Sequence, residues 1–291
     1  MIVCLSKNSL ALLGLSLVLS ACTTPRITTP DNRVTLDYRV YSTAPEVGDI
    51  DKTINAIGQE RRIQFLVLHY TAIDEPTSLR VLSQQQVSSH YLVGDKTPVK
   101  VWQLVDETNM AYHAGVSDWR GYNRLNASSI GIEIVNLGYR DNEQGRQYFP
   151  FPQEQIDKVL ALTKDIVKRH NIKPENVIGH SDIAPTRKSD PGPLFPWKQF
   201  ADAGLILWPD AIKVAERLPQ FEQSLPDALW FQKKLAHYGY FLPQTGSWDE
   251  LTKNVLIAFQ TKYRPARFDG QPDAETAAML DVLSELLPTK K

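Results

Sequence analysis

Between residues 65 and 179, short runs rich in Val, Ile and Leu take turns with stretches of helical period. The runs 65–69, 90–93, 99–104, 130–135 and 177–179 are bounded by turn residues and predict strands. Residues 153–170 predict a helix. Ile156, Val159, Leu160, Thr163, Ile166 and Val167 form one stripe, Pro152 stands just ahead, and Asn171 suits the C-cap. Residues 79–86 predict a second, weaker helix. Strands alternating with helices bury sheet faces against helix stripes, which indicates an α/β layer architecture. With 42% hydrophobic residues over 291 positions, the chain can fill one large core or two smaller ones.

From residue 227 onward the strand pattern stops. Leu229, Phe231 and Leu235, then Leu251, Val255, Leu256 and Phe259, then Ala277, Leu280, Leu283 and Leu287 give three helical stripes over 228–237, 249–263 and 273–287. Phe231-Gln232 and Phe259-Gln260 stand at matching places in the first two. With Gly246-Ser247-Trp248-Asp249 and Phe268-Asp269-Gly270 between the stripes, this part resembles the small three-helix peptidoglycan-binding domain. The organisation expected is a domain over 34–209, a linker over 210–226 in which Pro219 and Pro226 mark the change of texture, and a helical domain over 227–287.

The N-terminus reads as an address. Lys7, an apolar stretch over 10–19 and small residues after it form a targeting segment over 1–21, too short in its apolar part to span a bilayer comfortably. Leu19-Ser20-Ala21-Cys22 resembles the bacterial lipobox, which implies cleavage before Cys22 and acylation of it. Cys4 leaves with the segment, so the processed chain holds no intramolecular disulfide. Thr23 stands where an aspartate is typical of inner-membrane retention, and the same resemblance therefore favours the outer membrane. Residues 22–33, polar and proline-bearing, read as a tether. A net charge of -1 offers no basic excess for nucleic acid.

The chemistry concentrates in GHSDIAPTRKSDPG, residues 179–192, and in the histidine that ends the run FLVLHYT. Imidazole and carboxylate are ligands of catalytic zinc, which takes three from protein and keeps one position open. His69 and His180 both end predicted strands, where α/β proteins build sites, and Asp190 follows in the same loop as His180. His170 and His237 lie at helix ends and read as groups that satisfy terminal carbonyls. Glu133 alternates with Ile132 and Ile134, so it points to the opposite face of its strand and needs partners there. Lys188 can steady developing negative charge. Arg187 can meet a substrate carboxylate, and Trp119, Tyr122 and Asn126 can line a glycan or peptide groove.

HYT at His69, SHYLV around His90, AYHAG around His113, SIGIEIVN around Glu133 and the 179–192 loop follow the order of the type 2 N-acetylmuramoyl-L-alanine amidases. The resemblance covers most of 34–208. With the lipobox and the helical part, the chain is similar to the outer-membrane lipoprotein amidases of Gram-negative bacteria. The resemblance implies a mixed central sheet flanked by helices, with the three-helix domain beside it. It implies zinc held by His69, His180 and Asp190, with Glu133 and Lys188 as the catalytic pair. His90 and His113 belong to its motifs as supporting or substrate-contacting groups, not ligands. The reaction implied is hydrolysis of the amide between the lactyl group of muramic acid and L-alanine of the stem peptide. The expected partners are peptidoglycan, muropeptides and the outer membrane, for a monomer facing the periplasm. The competing reading is a non-catalytic peptidoglycan-binding lipoprotein that tethers outer membrane to wall; it has no need of Glu133 or Lys188. No HExxH is present, which sets zinc peptidases of that kind aside.

Overall fold

The computed structural model describes residues 51–287 except 52 and 144. The targeting segment 1–21, Cys22, the tether and the first part of the 34–209 stretch lie outside the described residues. The chain divides into two compact units, Met1–Gly58 and Gln59–Lys291, and every element named below belongs to the second.

The order is β1 (Phe65–Tyr70), α1 (Glu75–Gln84), β2 (Tyr91–Val93), β3 (Val101–Gln103), β4 (Asp118–Trp119), β5 (Tyr122–Asn123), β6 (Ser129–Ile134), β7 (Tyr139–Asn142), β8 (Gly145–Tyr148), α2 (Gln153–His170), β9 (Val177–Gly179), α3 (His180–Ile183), α4 (Trp197–Asp202), α5 (Ala211–Gln223), α6 (Ala228–Tyr238), α7 (Glu250–Tyr263) and α8 (Ala274–Glu285). Five strands form the central sheet in the order β3-β2-β6-β1-β9. The pairs β2–β6, β6–β1 and β1–β9 are parallel, and β3 runs antiparallel on the edge, so the sheet is mixed.

Helix α2 has the bounds its stripe predicts and ends on Asn171 at φ 55°. Helix α1 begins four residues before the predicted 79, because Asp74 caps it by accepting from the Thr77 amide at 3.0 Å and Pro76 suits its first turn. The hairpins β4–β5 and β7–β8 were not expected; β7 and β8 are almost wholly exposed and so carry no apolar alternation to read. The stretch 210–226, expected as a linker, carries helix α5, capped by Asp210. It lies along α8 with Arg217 paired to Asp281 and Glu285. Pro219 does not stop this helix.

Alternation along the strands sorts the core into two faces. Leu66, Leu68, Ile130, Ile132 and Ile134 pack with α2 and with Phe195, Trp197 and Phe200. Phe65, Val67 and Ile178 face the other way and join Trp119 in one continuous core with Phe231, Leu235, Tyr238, Phe259 and Leu280 of the C-terminal helices. The Phe-Gln echo has a structural cause. Gln232 Nε2 donates to the Ser247 carbonyl and its Oε1 accepts from the Gly246 amide. Gln260 repeats this with the Gln271 carbonyl and the Gly270 amide. Each buried glutamine thus braces the turn that starts the next helix.

Candidate active site

Three neighbouring strands, β6, β1 and β9, present their carboxyl ends side by side, the usual place for a site in an open α/β sheet. The parallel register sets His69 beside Glu133. Strand β6 alternates strictly: its isoleucines enter the α2 core, while Ser129, Gly131 and Glu133 share the other face with Phe65, Val67 and His69. His180 follows β9 directly. Asp190 returns to it through a close contact at Gly179, where a Cβ would stand 2.8 Å from the Pro191 ring.

His69 Nδ1, His180 Nδ1 and Asp190 Oδ2 converge. The two nitrogens are 2.9 Å apart, and each is 3.1 Å from the carboxylate oxygen. All three residues are buried. The surrounding hydrogen bonds assign the ring protons. Ser129 Oγ donates to the Leu125 carbonyl at 2.6 Å, so towards His113 Nε2, 3.1 Å away, it accepts. A neutral His113 then offers Nδ1 as acceptor to His69 Nε2–H at 3.0 Å. His180 Nε2–H donates to the Ala114 carbonyl at 3.2 Å. Both Nδ1 atoms are thereby left as lone pairs facing a carboxylate with no proton between them. Such a buried, electron-rich triangle fits a divalent cation, and its histidines have the outer-shell partners that metal-ligating histidines normally have.

The electrostatics agree. Burial, with His180 beside it, lowers His69 to about 4, which keeps its ring neutral. Burial and the neighbouring histidines push His113 well below its ordinary value. Burial alone would raise Asp190, but His180 and His69 outweigh it and hold the carboxylate far below its usual range. Glu133 is pushed up to about 8 by burial first and by the Asp190 charge second, with Lys188 opposing. Its Oε1 lies 4.0 Å from His69 Nδ1, and its Oε2 is buried and accepts no hydrogen bond from the described residues. Lys188, on the exposed loop, lines the same cavity of about 340 Å³ as Glu133, His180 and Asp190.

Other predicted roles change. Trp119 is fully buried; it packs on Tyr238 and Tyr240 and donates to the Glu175 carbonyl, so it lines no groove. Tyr122 stacks edge-on to Phe65 and donates to Glu60. Asn126 Oδ1 takes the amides of His113 and Ala114, which fixes the loop that carries His113. Arg187 donates to the carbonyls of Ala114 and Val116 and braces that loop. His90 accepts from the Gly131 amide and donates to the Asn109 carbonyl. His170 pairs with Glu107 instead of a helix-end carbonyl, whereas His237 does satisfy one, donating to the Ser284 carbonyl near the end of α8. The role of Ser129 escaped the sequence reading. Its one signal is its place on the Glu133 face of β6.

Comparison with known proteins follows the same division of the chain. Residues 59–193 match the model of the N-acetylmuramoyl-L-alanine amidase family, and residues 224–280 match that of a putative peptidoglycan binding domain. The chain is 46% identical over 230 residues to N-acetylmuramoyl-L-alanine amidase AmiD of Escherichia coli, covering 77% of this chain and 83% of that protein. A solved complex of E. coli AmiD with the substrate anhydro-N-acetylmuramic acid-L-Ala-D-γ-Glu-L-Lys superposes with a TM-score of 0.75 at 42% identity, covering 81% of this chain and 94% of that one. The structure of AmpDh3 from Pseudomonas aeruginosa with anhydromuramic pentapeptide gives 0.77 at 38% identity, over 84% of this chain and all of the other (100%).

Proposed function

Because the chain belongs to the N-acetylmuramoyl-L-alanine amidase family, we propose that it hydrolyses the amide between the muramic acid lactyl group and L-alanine in peptidoglycan stem peptides, 1,6-anhydro muropeptides included, with zinc held by His69, His180 and Asp190. The observation that carries this is the convergence of two proton-free imidazole nitrogens and one carboxylate oxygen within 3.1 Å of one another. Bound there, zinc supplies a Lewis acid that makes water acidic enough to ionise near neutral pH and polarises the scissile carbonyl.

The protein's own groups do the rest. Glu133, 4.0 Å from His69 Nδ1, would be ionised by a cation held there, and its carboxylate takes the proton of the attacking water and returns it to the departing amine nitrogen. Lys188 faces the same cavity and stabilises the negative charge that develops on the carbonyl oxygen. His113 and Ser129 hold the His69 ring in the tautomer that leaves Nδ1 free. Residues 227–287 hold the enzyme on the wall, which raises its effective concentration over the bonds it cuts. Lipid on Cys22 places it at the outer membrane, facing the periplasm, as a monomer. The anchor rests on Leu19-Ser20-Ala21-Cys22, and its membrane on Thr23 after it.

The test is mass analysis of products from a defined anhydromuropeptide, with and without chelator, alongside zinc stoichiometry. Free peptide beginning with L-alanine, one zinc per chain, and loss of product on chelation are expected. Full-strength cleavage by metal-free protein, or no cleavage by zinc-loaded protein, would return the wall-tether reading to the front.

A further inference from the structure

We infer that Lys262, on helix α7 of the C-terminal bundle, positions the metal ligand His180 by clamping Asp182 from across the shared core. The inference rests on the zinc reading above and extends it to the part of the chain that resembles a wall-binding module.

Asp182 is two residues after His180 and is buried, 2% exposed. Its Oδ2 accepts from the Gly179 amide at 2.8 Å, which ties the end of β9 to the turn that carries His180. The same oxygen accepts from Lys262 Nζ at 3.1 Å. Its Oδ1 accepts from the Tyr240 hydroxyl at 2.6 Å. Two of the three donors thus come from the C-terminal part of the chain. Lys262 is itself 3% exposed, and its ammonium lies 4.4 Å from the Trp197 ring centre and 3.4 Å from the Val177 carbonyl. It therefore touches residues on both sides of the turn as well as the turn itself.

A buried ion pair is a poor device for stability alone, since apolar residues of the same volume do as well or better. Its distinctive effect is geometric. A carboxylate held on both oxygens cannot rotate, and the backbone from Gly179 to Ile183 cannot shift without breaking charged hydrogen bonds in a dry environment. That backbone carries His180, and the Ser181 amide also donates to the Asp190 carbonyl at 2.9 Å, so two of the three metal ligands hang on it. The C-terminal helices accordingly serve the metal centre as well as the wall.

The experiment compares wild type, Lys262→Gln, Lys262→Met and Tyr240→Phe as full chains. Zinc affinity is measured by competition with a chromophoric chelator, KM and kcat on a soluble anhydromuropeptide, and melting temperature as a control. Outer-shell groups of metal sites are typically worth about 10–100-fold in affinity or activity, and Lys262→Met is expected in that range. Lys262→Gln, which keeps a donor without the charge, falls between it and wild type. The loss appears in zinc affinity and kcat, with KM held within about twofold, because Lys262 touches no substrate. Tyr240→Phe removes a hydroxyl while keeping the ring on Trp119, so it stays folded and loses zinc affinity several-fold; it decides the matter if Lys262→Met fails to fold. Variants with lowered melting temperature but wild-type zinc affinity would overturn the positioning role. Wild-type protein that takes up no zinc would overturn this inference together with the zinc reading, and the two failures are therefore told apart.

Discussion

Glu133 sits under opposing constraints. Its carboxyl is 14% exposed, one oxygen has no partner among the described residues, and Asp190 repels its charge. Stability and catalysis want different things of it. Glu133→Gln is expected to lower the rate on a soluble muropeptide by roughly 100-fold or more through loss of the base. Lys188→Ala should lose about as much through loss of an oxyanion donor. The double variant should fall short of the product of the two, since both serve one transition state. Zinc content stays at wild-type level in all three, and near-normal rates would remove both residues from the mechanism. The same carboxyl gives the metal-free protein a pH signature. Between pH 6.5 and 8 the folded chain keeps a proton on Glu133 that the unfolded chain has already released. The buried histidines, lowered from 6.5, are neutral in the folded chain but still lose protons in the unfolded chain at the lower end of this window, and they do so equally in wild type and in Glu133→Gln. Relative to Glu133→Gln, wild-type stability therefore falls with rising pH across this window, by about 1.5 kcal/mol. Denaturant unfolding of metal-free wild type against Glu133→Gln checks this; equal slopes would refute it.

Strand β6 shows what an element can and cannot disclose. Its alternation, Ser-Ile-Gly-Ile-Glu-Ile, announces a strand with an apolar face and a chemical face, and α2 announces itself by period in the same way. The cluster of His69, His180 and Asp190 was legible because strand ends are where such folds place chemistry. The relay from Ser129 through His113 to His69 was not, because it joins residues 44 positions apart in the chain through hydrogen bonds rather than through any periodic pattern. Trp119 was misread for a related reason: an aromatic in a loop looks like a groove wall until its partners, Tyr238 and Tyr240, are brought to it from more than a hundred residues away. Gly131 makes the relay possible, since a Cβ there would come within 2.5 Å of the His113 ring. Gly131→Ala should thus displace His113, cost about 1–3 kcal/mol in stability and weaken zinc binding about tenfold or more. Chelator competition and thermal melting measure the two effects; zinc affinity equal to wild type would show that the relay does not set the His69 tautomer.

At the scale of the molecule, the amidase strands and the C-terminal helices share one core, which argues against independent folding of the two family regions. Calorimetry of a chain beginning near residue 51 should show one transition, and Trp119→Ala should lower it as a whole, by about 3–5 kcal/mol. Two resolved transitions would refute this. The proposed lipid anchor is tested separately: Cys22→Ser should abolish lipid labelling and outer-membrane fractionation, and a variant that still fractionates there would refute acylation as the anchor. The proposed ligands lie at residues 69, 180 and 190, so an ion that grips all three closes a loop of more than a hundred residues and has no comparable grip on the unfolded chain. Each tenfold excess of free zinc over its dissociation constant then adds about 1.4 kcal/mol to the folded state. The enzyme's lifetime against envelope proteases, and not only its turnover, would thereby follow the metal supply, so that a cell starved of zinc would lose the protein as well as its activity.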